Sequence, residues 1–118
     1  MPAKTGIPIP HNMVTTGMEI PQYYIMENYG VVRGITVRSR DFMARGFADF
    51  RAKFGGKIGG YVKLCEEARE EAYGIVIRHA YDIGANAIIC FRYDSTLIVD
   101  GMTEFMAYGT AVKAMWRG

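Results

Sequence analysis

Two cysteines and two histidines, Cys65, Cys90, His11 and His79, are the residues of this 118-residue chain best suited to a soft metal ion. Such ions want thiolate, thioether or imidazole ligands at matched spacing, as in a C-x-x-C pair, and the sequence contains no such pair. Cys65 and His79 fall fourteen residues apart on one expected helix. At the helical rise that is about 21 Å along the axis, so one ion cannot join them. His11 stands in a proline-rich arm, and Cys90 meets Cys65 only if a sheet packs on that helix; two separate core thiols are the simpler reading. The eight methionines are spread along the chain and read as core filler. The expectation is therefore no chelating site within one chain, and alanine at both cysteines should cost stability rather than a metal.

A second chemistry is anion binding. Gly55-Gly56-Lys57-Ile58-Gly59-Gly60 resembles a phosphate cradle before a helix N-terminus, where free amides and the helix dipole favour negative charge. It lacks the Walker spacing and follows a helix rather than a strand, so a helix stop, a hinge and a helix start explain the glycines. If an anion binds, Lys57 with the amides of Gly59 and Gly60 is the candidate, with Arg40 and Arg69 as further cations. Asp41 most simply caps a helix, and Arg69 most simply pairs with carboxylates on its own helix or a neighbour. Acid/base work by either needs a cleft. His79, at the edge of a buried stripe in a last helical turn, suits a dipole role. No nucleophile stands in a recognisable motif, so no catalytic residue is assigned.

The elements that must position these residues follow from periodicity. From Tyr61 the apolar positions Leu64, Cys65, Ala68, Ala72, Ile75, Val76, Ala80 and Ile83 give one helical stripe, and Glu66, Glu67, Arg69, Glu70, Glu71 and Arg78 suit the solvated side. Gly84 supplies a left-handed stop, and residues 86–91 read as a strand buried at its start. An earlier helix is expected from a Ser39 cap through Phe54, with Met43, Phe47, Phe50 and Phe54 inward. Before it, Tyr23 to Val37 is tyrosine- and β-branched-rich; Gly30 and Gly34 mark a bulge or a close backbone approach. Residues 13–16 read as a short strand ended by Gly17.

Asp100-Gly101 is a two-residue hairpin signal. With it as the turn, Tyr93, Phe91 and Ile89 fall opposite Tyr108, Thr110 and Val112 on a helix-covering face. Arg92, Asp94 and Cys90 fall opposite Gly109, Ala107 and Ala111 on the other. That second face, with the small residues Ala107, Gly109 and Ala111 beside Arg92 and Asp94, is the expected contact between subunits. Residues 1–12 read as a flexible arm and residues 13–118 as one domain, long enough to bury roughly two thirds of its unfolded surface.

The net charge is +2 with the basic residues scattered, and aromatics interleave with few cations, so nucleic acid is not an expected partner. No apolar run suits a signal peptide or a membrane span. Core cysteines fit a reducing compartment, and the expected location is cytoplasmic.

Gly30-Val31-Val32-Arg33-Gly34, Arg40-Asp41-Phe42, Gly55-Gly56, Ala68-Arg69, Gly84-Ala85-Asn86-Ala87 and Gly109-Thr110-Ala111-Val112 occur in that order. Together, over about residues 13 to 113, they make the chain resemble the YbjQ-like family of small bacterial proteins of unknown function. The resemblance implies an α+β fold: a two-layer subunit with an antiparallel sheet, similar to dodecin-type subunits, built as strands, two helices and a C-terminal β-hairpin. It further implies a ring-shaped homopentamer, and it brings a heavy-metal-binding label, which leaves open a site made by symmetry on a ring axis. The proline-rich arm and the Trp116 tail depart from the family pattern. The expected function is a non-enzymatic, ring-forming oligomer that binds a small ligand or ion, or serves as an assembly scaffold, with no cofactor named. The alternatives are an enzyme acting on a small anionic substrate at a subunit boundary through Lys57, Arg40 or Arg69, and an interaction module whose partner meets the arm.

Overall fold

The computed structural model of the chain describes residues 8–39, 57–99 and 101–118, with the backbone alone for 57–61. A single 3-10 turn, His11–Met13, leads into strand β1 (Tyr23–Ser39), helix α1 (Lys57–Asp82), and strands β2 (Ala87–Val99) and β3 (Met102–Trp116). The strands form one antiparallel sheet in the order β1-β3-β2, with α1 laid on one face. The α+β class, the antiparallel sheet and the terminal hairpin are as expected. Of the expected helix over Ser39 to Phe54, the capping Ser39 is the last residue of β1, and the rest, with Arg40 and Asp41, lies outside the described residues.

The small residues of the helix stripe determine how the layers meet. Leu64, Ala68, Ala72, Val76 and Ala80 recur every fourth position and are all buried, so the alanines bring the helix backbone close to the sheet. Gly34 receives it. A Cβ built there would lie 2.2 Å from the Ala72 carbonyl oxygen and 2.7 Å from the Val76 nitrogen. Thr36, two residues on, is buried and donates its hydroxyl to the Ala68 carbonyl oxygen at 3.2 Å, so even this polar side chain serves the contact. Arg38 then pairs with Glu71. The helix consequently lies over β1 and β3 and barely touches β2. Gly84, with φ of +97°, ends it. The Gly84 and Ala85 amides donate to the Tyr81 and Ala80 carbonyls, the paired bonds of a Schellman stop.

Asn86 acts as an extra strand residue. Its side-chain amide donates to the Ala114 carbonyl and accepts from the Ala114 amide, extending the β2–β3 ladder beyond Ala87. Gly30, with φ of +94°, sits at a bulge in β1 where the register against β3 slips.

The hairpin register differs from the expected one. Val99 pairs Met102 as a two-residue turn requires, but a shift between Leu97 and Val99 leaves Tyr93 opposite Ala107, Asp94 opposite Met106 and Arg92 opposite Tyr108, and a second between Ile89 and Arg92 leaves Ile89 opposite Thr110. One slipped residue reverses which face a side chain takes. Ala107, Gly109 and Ala111 therefore lie buried within their own subunit, under the helix and β2, and do not form an outer contact row with Arg92 and Asp94.

Residues 8 to 17 are also more integrated than an arm. Ile9, 6% exposed, belongs to the core. Val14 makes a parallel bridge to Ile88, and the Cys90 and Phe91 amides donate to the Gly17 and Thr15 carbonyls. Cys90 adopts φ of 55° at this bulge, turning its amide outward to the added segment. Arg92 fastens the same segment by donating to the Thr16 carbonyl at 2.8 Å. Trp116 is the last residue of β3, paired with Tyr23 and packed edge-on against its ring at 5.4 Å.

Candidate functional site

Because the helix sits on β1 and β3, its flank overhangs β2 and leaves a cleft of about 330 Å³ lined by His11, Glu66, Arg69, Glu70, Tyr73 and Tyr93. This volume is at the small end of the range for small-molecule sites, about 300–1,000 Å³. Four of the six come from the helix at positions i, i+3, i+4 and i+7, a single face adjoining the buried stripe. Tyr93 rises from β2 on the helix side of the sheet. His11 arrives with the N-terminal segment that Ile9 anchors in the core.

An aromatic ladder forms one wall. His11 and Tyr73 rings lie 5.9 Å apart; Tyr73 meets Phe91 edge-on at 5.6 Å, and Phe91 meets Tyr93 edge-on at 4.9 Å. Such contacts hold rings in fixed orientation and contribute about 0.5–1.5 kcal/mol per pair beyond burial. The His11 Nδ1 and the Tyr73 hydroxyl share a hydrogen bond of 3.2 Å.

Arg69 is the cation of the cleft. Its Nη2 donates to the Ser95 hydroxyl at 3.3 Å, while its Nε is buried and has no hydrogen-bond partner. Neither Glu66 nor Glu70 pairs with it; the ion pair found among the described residues is Arg38 with Glu71. The expected pairing of Arg69 along its own helix is thus replaced by a reach across to β2. Burial pushes the Tyr73 hydroxyl above its ordinary value, with the Tyr93 charge adding to the effect. Burial also raises Tyr93, and the Glu66 and Glu70 carboxylates add to it against the opposing pull of Arg69. A phenol with a raised value stays protonated through neutral pH. Any stability it contributes is complete below pH 10 and is lost only as pH rises beyond that, since the unfolded phenol ionises first.

Of the anion-binding candidates among the described residues, Arg69 alone lines the cleft, where it is joined by His11, a candidate metal ligand. Lys57, Gly59 and Gly60 form the start of α1, twelve to nine residues earlier, or about 18 to 14 Å along the axis, too far to act with it. Arg40 lies outside the described residues. Arg92 serves as a fastening, and Asp94 is exposed and accepts from the Ser95 amide. His79 lies in the last turn of the helix, where its spacing put it at the edge of the buried stripe, and is exposed. From sequence, Glu66, Arg69 and Glu70 suit the solvated side of the helix, and Tyr73 is not singled out. The i, i+3, i+4, i+7 spacing of these four is visible in the sequence, but only the lateral offset of the helix makes that face the wall of a cleft.

The donors among the described residues do not fit a heavy metal within one chain. Among the described residues no three of His, Cys, Asp and Glu gather closely enough to hold an ion, and Cys65 and Cys90 are free and half-buried. His11, Glu66 and Glu70 line the same cleft without converging, and the His11 Nδ1 is engaged by Tyr73.

Comparison with known proteins places the chain among small bacterial relatives. The YbjQ family profile, described as "Putative heavy-metal-binding", matches residues 12–115. A UPF0145 protein of Chromobacterium violaceum is 50% identical over 105 residues, covering 89% of this chain and 90% of the relative. One from Solibacter usitatus is 44% identical over 107 residues, covering 91% and 96%, and one from Burkholderia thailandensis is 45% identical over 106 residues, covering 90% and 96%. Among solved structures, a protein of unknown function of the DUF74 family from Pediococcus pentosaceus aligns with a TM-score of 0.56 at 17% identity, over 86% of this chain and 96% of that one. That likeness speaks to the fold.

Proposed function

The chain belongs to the YbjQ-like UPF0145 family, and from that premise we propose that it is a non-enzymatic, small-ligand-binding protein that works as a ring-shaped homo-oligomer, a pentamer, in the cytoplasm. The observation that carries ligand binding is the buried, unpartnered Nε of Arg69 in a cleft walled by Tyr73 and Tyr93. A buried donor without an acceptor costs about 1–3 kcal/mol, which an acceptor supplied by a ligand recovers. The groups around it suit holding more than turnover: a planar guanidinium that donates along one edge, and phenols whose burial favours the protonated form. Both thiols remain free, in keeping with a reducing compartment.

Assembly draws its support from the other face of the sheet. Val32, Gly34 and Thr36 of β1 face the helix, so Val31, Arg33, Ile35 and Val37 face away. Val31 is 67% exposed, Ile35 40% and Val37 42%, and half-buried Met106 and Tyr108 lie across the ladder from Ile35 and Arg33. Exposed apolar residues along one strand face, here broken by Arg33 alone between Val31 and Val37, favour a protein partner, which we take to be a second copy of the chain.

Native mass spectrometry of the purified protein tests both halves. The expected spectrum is a closed oligomer of five subunits carrying a small organic molecule, with Ile35→Asp shifting it to monomers that keep the helix signal. A wild-type monomer with nothing bound refutes the proposal.

A further inference from the structure

The cleft that the proposed ligand binding rests on also restricts the chemistry of what it binds. We propose that the ligand is a small zwitterion of the amino-acid type: a carboxylate and an ammonium group on one apolar, ring-sized skeleton. The carboxylate is called for by Arg69. Its Nε and Nη2 hydrogens lie along one edge of the guanidinium, the edge that takes a carboxylate in a two-point contact. Nη2 reaches Ser95 Oγ at 3.3 Å and Nε is buried without a partner, so an oxyanion that enters beside Ser95 on that edge would meet both nitrogens and the hydroxyl together.

The ammonium group is called for by Glu66 and Glu70. Both line the same cleft, both are exposed, and neither is paired with Arg69. One guanidinium against two carboxylates leaves the lining with an excess of negative charge. A simple anion gains the Arg69 contact but meets repulsion from the rim, and a dianion such as phosphate meets more. A simple cation gains the rim and leaves the Arg69 Nε without an acceptor. A molecule with both charges satisfies both groups. Between them, Tyr73 and Tyr93, each held edge-on by Phe91, offer ring surface to an apolar skeleton. The Tyr93 hydroxyl, with no partner among the described residues, adds a donor.

Three probes that share one skeleton separate these terms: L-phenylalanine, 3-phenylpropionate, which lacks the ammonium group, and phenethylamine, which lacks the carboxylate. Isothermal calorimetry on the full chain, freed of bound small molecules by dialysis, is expected to show L-phenylalanine binding at least about ten-fold tighter than either, since each lost charge pair removes on the order of 1.4 kcal/mol. Arg69→Met abolishes that binding. Glu66→Gln combined with Glu70→Gln, both on the exposed rim, reverses the order so that 3-phenylpropionate binds better than L-phenylalanine. Tighter or equal binding of 3-phenylpropionate or phenethylamine to the wild-type protein, lost in Arg69→Met, overturns the zwitterion and leaves the cleft as the site. Binding that Arg69→Met leaves intact overturns the cleft as well. No binding of any probe at millimolar concentration overturns the zwitterion class for a skeleton of this size, and the molecule retained in native mass spectrometry then decides whether the cleft is a ligand site.

Discussion

Gly34→Ala lowers the stability of the subunit by about 3 kcal/mol, the upper end of what overpacking a well-filled interior costs. The added carbon would lie 2.2 Å from the Ala72 carbonyl oxygen, 2.7 Å from the Val76 nitrogen and 2.8 Å from the Ile75 Cβ. Two of these are backbone atoms of a continuous helix, and they cannot rotate away as a side chain can. Relief requires the helix to lift from the sheet, which stretches the Thr36–Ala68 hydrogen bond and opens the contact beneath Val76. Elsewhere in a strand, alanine in place of glycine is favourable. The sign of the change therefore reports the contact itself. Urea unfolding followed by circular dichroism measures it, and a midpoint equal to or above that of the wild type would mean that the helix does not rest on β1 here.

Gly109→Leu has an effect of similar size, and its nature follows from the register. With the hairpin pairing expected from Asp100-Gly101, Gly109 belongs to an outer row, and leucine there should separate subunits while leaving each one folded. In the structure a Cβ at Gly109 would lie 2.6 Å from the Ile88 Cγ2, 3.1 Å from the Ile89 carbonyl oxygen and 3.3 Å from the Phe91 Cα. Ile88 is fully buried and packed among core residues. Leucine thus forces apart β2 and β3 of one subunit, and the expected result is loss of about 3 kcal/mol of subunit stability with the helical and sheet signals lost together. Circular dichroism melts at several protein concentrations distinguish the cases. A melt like that of the wild type, with only the oligomer lost, would restore Gly109 to an interface.

The contrast between Gly34 and Gly109 shows what local sequence carries. The bulge at Gly30, the close approach at Gly34, the stop at Gly84 and the four-residue recurrence from Leu64 to Ala80 are local signals, and each corresponds to a local feature of the backbone. Register is not local. The shift between Leu97 and Val99 already sets Ala107 opposite Tyr93, and a second one at Cys90, whose amide meets the carbonyl of Gly17 more than seventy residues earlier, offsets Ile89 and Ile88 in turn. Periodicity alone also did not indicate that Ile75 and Ile83 would be exposed while Ile77 is buried. That depends on the helix lying off-centre, toward β1.

The candidate site was legible in the same uneven way. Arg69 stood out as a cation within an ordered motif, yet its assumed partners were its own helix neighbours. Its partner is Ser95, on a strand that only the fold brings near. Tyr93 was assigned to the helix-covering face, and it takes that face in the structure although its expected partner, Tyr108, gives way to Ala107. His11 was placed in an arm because prolines surround it. Ile9 shows why it is held instead: one buried apolar residue two positions earlier anchors the segment beside Tyr73.

The most direct test of the central claim, that Arg69 receives the ligand, is the side-chain Nε–H signal of Arg69 in a nitrogen–proton correlation spectrum. Its loss in Arg69→Lys assigns it. On titration with L-phenylalanine, this resonance is expected to move downfield and exchange more slowly with water as the carboxylate supplies the missing acceptor, while the Nε–H of Arg38, whose Nη2 already donates to Glu71, stays in place. Backbone shifts that saturate with the ligand while the Arg69 Nε–H remains unmoved would contradict the account.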